Sequence, residues 1–125
     1  MPLLPYSIEL HDSMLSQIER CEHDYIVRLR PAYVHREGKG WTQDIDLIFL
    51  HAEIDSPIPE LPARIADGAM RTPAGPYHNL LNLPLTELGD IAFTLTFLDE
   101  SKLEIQADGV HAVLQGPLTL VETFV

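Results

Sequence analysis

The stretch "DIAFTLTFLD" (residues 90–99) decides how the rest of the chain is read. Ile91, Phe93, Leu95 and Phe97 would point one way, and Ala92, Thr94 and Thr96 the other. A period of two, carried by β-branched and aromatic residues, is the pattern of a strand with one buried face. "KLEIQA" (102–107) repeats it, with Leu103 and Ile105 inward and Lys102, Glu104 and Gln106 outward. "DES" (99–101) between them reads as a tight turn, so the two segments form a hairpin. "GVHAVLQG" (109–116) and "LTLVETFV" (118–125) continue the series, broken by Gly116-Pro117. In the last segment Leu118, Leu120, Glu122 and Phe124 share one face, which places a carboxylate on an apolar side.

Upstream, "YIVRLRPAYVHR" (25–36) sets Tyr25, Val27 and Leu29 against Ile26, Arg28 and Arg30. Pro31 cannot donate to a ladder, so this strand lies at an edge or carries a bulge there. "REGKG" (36–40) is a loop. "WTQDIDLIFLHAEI" (41–54) is the longest candidate strand, and its alternation slips near Leu50, as at a bulge. "ARIADGAMRT" (63–72) and "YHNLLNLPL" (77–85) read as short strands. Ala66-Asp67-Gly68 and Ala107-Asp108-Gly109 are turn or bulge signals. Near the start, "SMLSQIER" (13–20) could be a helix capped by Ser13. The reading preferred here is two strands, 6–10 and 13–20, joined by His11-Asp12-Ser13, whose short polar side chains bond nearby backbone and fix a kink. Residues 1–125 are expected to form a single all-β domain. Its architecture would be an antiparallel meander of about eight strands closed into a small barrel, with a two-sheet sandwich as the alternative.

Composition narrows the function. The chain has 125 residues, 46% hydrophobic and 22% charged, a globular balance. Eight Lys+Arg against 19 Asp+Glu give a net charge of −11. Nucleic acids and anionic membranes are bound by clustered cations, which are missing here. The acidity favours a basic partner instead. Cys21 is the single cysteine, so no internal disulfide can form, and the carboxylates beside it disfavour a reactive thiolate. The first residues lack the basic and apolar regions of a signal peptide, and no run of 18 apolar residues exists. The expected location is cytoplasmic.

The His11-Asp12-Ser13 turn before a strand pair, the long strand with an aromatic start and "QDIDL" (43–47), and the closing "LVETF" (120–124) resemble small bacterial all-β domains. Some of these have streptavidin-like or lipocalin-like barrels, and some are immunity proteins. The resemblance implies a compact β domain and carries no activity. The lipocalin Gly-x-Trp opening is missing, and Trp41 alone does not make a biotin-type tryptophan set.

Few residues combine into chemistry. His11, Asp12 and Ser13 on extended chain point alternately, so they cannot make a triad among themselves. No G-x-S-x-G elbow occurs, and "GKGW" (38–41) lacks the phosphate-loop spacing. The six histidines are at least twelve residues apart, unlike the local ligand pairs common in zinc sites. The weak metal candidates are His51, Glu53 and Asp55, on one strand face if the alternation holds; no cofactor is expected. Arg30, Tyr33, His35, Trp41 and Tyr77 are candidates to line a barrel mouth or an interaction patch; alternatively, Trp41 and the tyrosines cap the core with wet tips. The expectation is a non-enzymatic binding or protein-interaction module that forms a homodimer. The alternatives are a small-ligand-binding barrel, a metal-assisted enzyme using histidines and carboxylates, or an acidic immunity-type protein with a basic partner.

Overall fold

A computed structural model describes residues 6–123. The strands are β1 (Tyr6–Glu9), β2 (Met14–Cys21), β3 (Asp24–Arg36), β4 (Lys39–Leu50), β5 (Glu53–Ile54) and β6 (Ala63–Thr72). They continue with β7 (Gly75–His78), β8 (Leu80–Leu83), β9 (Thr86–Phe97), β10 (Lys102–Leu114) and β11 (Thr119–Thr123). The segment read as 13–20 is strand from Met14 to Cys21, not helix. The expected extension of the last strand to Phe124 and Val125 lies outside the described residues.

Among the described residues there are eleven strands where about eight were expected, and two of the long segments turn corners. His51 takes a left-handed φ of 46° and separates β4 from β5. Asn79, with φ 65°, separates β7 from β8, and the two pair with different partners, β6 and β1. Asparagine is among the residues that tolerate this conformation. Conversely, 102–107 and 109–116 merge into β10, with a register shift between Ala107 and Gly109 where the bulge signal stood.

All pairings are antiparallel and belong to one sheet, so the strands do not divide into two separate sheets. The order is not a simple meander. Hairpins join β2 to β3, β3 to β4 and β9 to β10, but β4 pairs with β10 and β6 with β9. Pro57, Pro59 and Pro62 explain the departure: the segment after β5 cannot keep donating to a ladder, so the chain leaves the sheet and re-enters beside β9. The pairings β3–β4–β10–β9–β6–β2–β3 close on themselves in a ring of six strands.

The inward rows of this ring make the core. Ile91, Phe93, Leu95 and Phe97 of β9 are buried, as are Leu103 and Ile105 of β10 and Val27 and Leu29 of β3. Phe49 and Phe93 pack with ring centroids 5.1 Å apart. Burial of each such side chain stabilises the fold by about 1.5–3 kcal/mol before chain entropy is counted.

The His11-Asp12-Ser13 turn is structural. β1 and β2 lie end to end along one edge of β3, pairing with Tyr33–His35 and with residues 24–29. Opposite the turn, β3 shifts register between Leu29 and Ala32, so Pro31 sits in a bulge within the strand. A double interruption leaves backbone groups without ladder partners. The fully buried Ser13 supplies them: its hydroxyl donates to the Glu9 carbonyl at 2.7 Å and accepts from the Tyr33 amide at 2.9 Å. Its own carbonyl accepts from the Ile65 amide at 3.1 Å, across the seam where β2 meets β6. That seam has only two paired positions, Met14–Arg64 and Leu15–Ala63. Beyond it Asn79 takes over, accepting from the Leu10 amide at 2.7 Å and donating to the Gly68 carbonyl at 2.8 Å. Gly68 admits this closeness: a Cβ there would lie 2.6 Å from Leu10 Cδ1.

Ser13→Ala should leave a buried carbonyl and a buried amide without their partner, lowering unfolding free energy by about 2–3 kcal/mol in urea titration. Gly68→Ala should cost about 1–3 kcal/mol through overpacking against Leu10.

Candidate functional site

The outer face of β3 and β4 is divided by the bulge at Pro31 into two polar clusters. On one side, Asp46 points outward from β4 yet is only 2% exposed. Arg28 and Arg30, neighbours on β3, cover it. Arg28 Nη1 donates to Asp46 at 2.6 Å, Arg30 Nη2 at 2.7 Å and Gln115 Nε2 at 3.1 Å. Arg28 also pairs with Glu19, and Arg30 donates to the Leu29 carbonyl at 3.0 Å. A carboxylate this buried needs such partners. Arg30 is therefore occupied in holding β3 to β4.

On the other side, Tyr33 and His35 stand edge to face, ring centroids 5.3 Å apart. The Tyr33 hydroxyl donates to Glu122 of β11. His35 Nε2 lies 3.5 Å from Glu9 Oε2 on β1. Gly40 makes room for the phenol, since a Cβ there would sit 2.0 Å from the Tyr33 hydroxyl. Burial raises the Tyr33 pKa above the usual tyrosine value, and the Glu122 hydrogen bond and the charges of Glu122, Glu9 and Asp12 raise it further. The phenol is thus held protonated among three carboxylates.

Of the five binding candidates, the fold brings together Tyr33 and His35. Arg30 belongs to the Asp46 cluster. Trp41 pairs with the buried Val34 and packs against the core, while its indole N–H donates to the Arg36 carbonyl at 3.2 Å. Tyr77 is on β7 beside Glu87; burial and that carboxylate raise its pKa. Glu9 and Glu122 were missed as partners of Tyr33. For Glu122 a signal existed, its place on an apolar face, but a register shift between Leu120 and Glu122 breaks that face and turns the carboxylate to the phenol.

His51 and Glu53 line an open cleft of about 440 Å³ with Arg71, Asp90, Gln106 and Asp108. The turn at His51 ends the alternation that would have aligned His51, Glu53 and Asp55, and the His51 ring stacks on His23 at 5.8 Å. Among the described residues, the three metal-ligating side chains whose donor atoms lie within 4.8 Å of one another are Glu9, His11 and Asp12. Cys21 is exposed.

The remaining surface feature is β11. It pairs with β4 at one edge, and all five of its residues are exposed. Among the described residues its other edge has no strand beside it. Leu120 and Val121 are 51% and 52% exposed, and Leu114 is 46% exposed. No helix among the described residues is long and apolar enough to cross a membrane. The chain matches no protein-family model, and comparison with curated proteins and with solved structures gave no significant match.

Asp46→Ala should lower stability by about 2–3 kcal/mol, less than the full loss for a buried ion pair because both guanidinium groups still reach water. Unfolded tyrosine ionises near pH 10. With Tyr33 raised above that in the folded chain, its contribution is complete below about pH 10 and is lost as pH climbs through the folded-state value. Tyr33→Phe should therefore be less stable than wild type at pH 7 and show a shallower alkaline decline, read by thermal melts from pH 7 to about pH 11.

Proposed function

We propose that the protein is a non-enzymatic interaction module, a small closed barrel that pairs with a second copy of itself through β11. The observation that carries this reading is the outer edge of β11, unpaired among the described residues, with Leu120 and Val121 exposed on it. An unprotected edge is a template for another strand, and natural proteins usually blunt such edges. Strand addition across a two-fold axis is a common way to make a dimer. The sequence of β11 suits antiparallel pairing with itself. Centred on Val121, it sets Thr119 against Thr123 and Leu120 against Glu122, so no two carboxylates face each other. The apolar residues that fill the interior support binding at the surface over binding inside a barrel. The likeness to small bacterial all-β domains supports only the compact β scaffold.

A second reading, an immunity-type protein with a basic partner, rests on the net charge of −11. Salt separates the two. Screening relieves repulsion between two acidic copies and weakens attraction to a basic partner.

Sedimentation equilibrium at micromolar concentration should show a dimer that tightens as salt is raised, and Leu120→Glu with Val121→Glu should make it monomeric. A monomer at all salt concentrations, or a dimer unaffected by those substitutions, would remove the reading.

A further inference from the structure

We propose that Glu9, His11 and Asp12 form a binding site for one divalent transition-metal ion of the zinc type. The reading does not depend on dimerisation through β11.

The site lies where β1 ends and the chain turns into β2. One imidazole nitrogen and two carboxylate oxygens converge there, all within 4.8 Å of one another. His11 Nδ1 and Asp12 Oδ2 are 3.4 Å apart. Donors around a tetrahedral ion with bonds of about 2.0–2.1 Å lie roughly 3.4 Å apart, so this pair already has the spacing that such an ion requires. Glu9 supplies the third donor, within 4.8 Å of the other two, and water would fill the open position. A mixed nitrogen and oxygen set favours zinc, cobalt or nickel over calcium and magnesium, which prefer oxygen alone.

The turn that carries the donors is fixed from beneath. The Ser13 hydroxyl bonds the Glu9 carbonyl, and the His11 amide donates to Asn79 Oδ1 at 3.1 Å. Asp12 has a left-handed φ of 83°, which places its carboxylate beside the His11 ring. The donors therefore project from backbone that is already ordered, which reduces the entropy lost on binding. His35 Nε2, 3.5 Å from Glu9 Oε2, is placed to steady the Glu9 carboxylate as an outer partner. Glu9 and Asp12 place two negative charges beside the His11 imidazole, which a bound cation would neutralise.

Alternation along an extended chain would send the side chains of His11 and Asp12 to opposite faces. The left-handed Asp12 breaks that alternation.

The test is titration of the full-length protein with cobalt chloride, followed by visible absorption, and with zinc chloride, followed by calorimetry. One ion per chain should bind. Asp12→Asn, which keeps a residue tolerant of positive φ, and His11→Ala, at an exposed position, should each weaken binding at least about tenfold with unchanged circular dichroism. A variant lacking both His23 and His51 should bind as wild type does. The proposal is overturned if binding is not saturable below about 1 mM, a free energy near −4 kcal/mol. It is also overturned if binding persists in Asp12→Asn and His11→Ala, or is lost with His23 and His51; His11 and Asp12 would then form an ion pair only.

Discussion

Closure of the ring is the constraint on which the molecule depends. Six strands can bury their inward rows only if the last pairs with the first, and here that contact is the short seam between β2 and β6. Two paired positions are a small ladder for such a task. What completes it is a set of polar contacts around one turn: the Ser13 hydroxyl between β1 and β3, the Ser13 carbonyl on β6, and Asn79 between Leu10 and Gly68. Each satisfies backbone groups at the point where strands change partners. An apolar residue at position 13 would leave the Glu9 carbonyl and the Tyr33 amide without that partner.

The same turn sets the chemistry of the surface above it. Because it is pinned from below, Glu9, His11 and Asp12 are presented together, and because β3 bulges opposite, Tyr33 and His35 face them. The bulge also separates this cluster from the Asp46 cluster. Outward residues of one strand thereby serve two purposes: Arg28 and Arg30 fasten β3 to β4, while Tyr33 and His35 meet carboxylates from β1 and β11. β11 is tied to the cluster through Glu122, so the exposed edge and the acidic face are neighbours.

Much of the scaffold was legible from residue alternation. The buried rows of β9 and of the first half of β10 follow the period of two, since a sheet with one dry face admits only that pattern. Pro31 and Ala107-Asp108-Gly109 marked places where the ladder shifts register, whereas the slip near Leu50, expected as a bulge, is the corner that ends β4. The strand count was harder to read. Whether an interruption is a bulge or a corner depends on what each half pairs with: Asn79 divides two strands, whereas Asp108 interrupts one. The crossing from β5 to β6 was also hidden, because prolines show where a ladder stops and not where the chain resumes.

The amino-acid sequence alone determined that this is a β protein with an apolar interior, an acidic exterior and a kink at His11-Asp12-Ser13, for these follow from local periodicity, composition and short-range hydrogen bonding. Only the tertiary structure decided that Tyr33 meets Glu122, that Arg30 is committed to Asp46, and that Glu9 converges with His11 and Asp12. The first two contacts join residues 89 and 16 positions apart, and the third needs a left-handed backbone at one aspartate. Contacts between side chains on different strands depend on register and closure, which are properties of the assembled sheet and not of any segment within it.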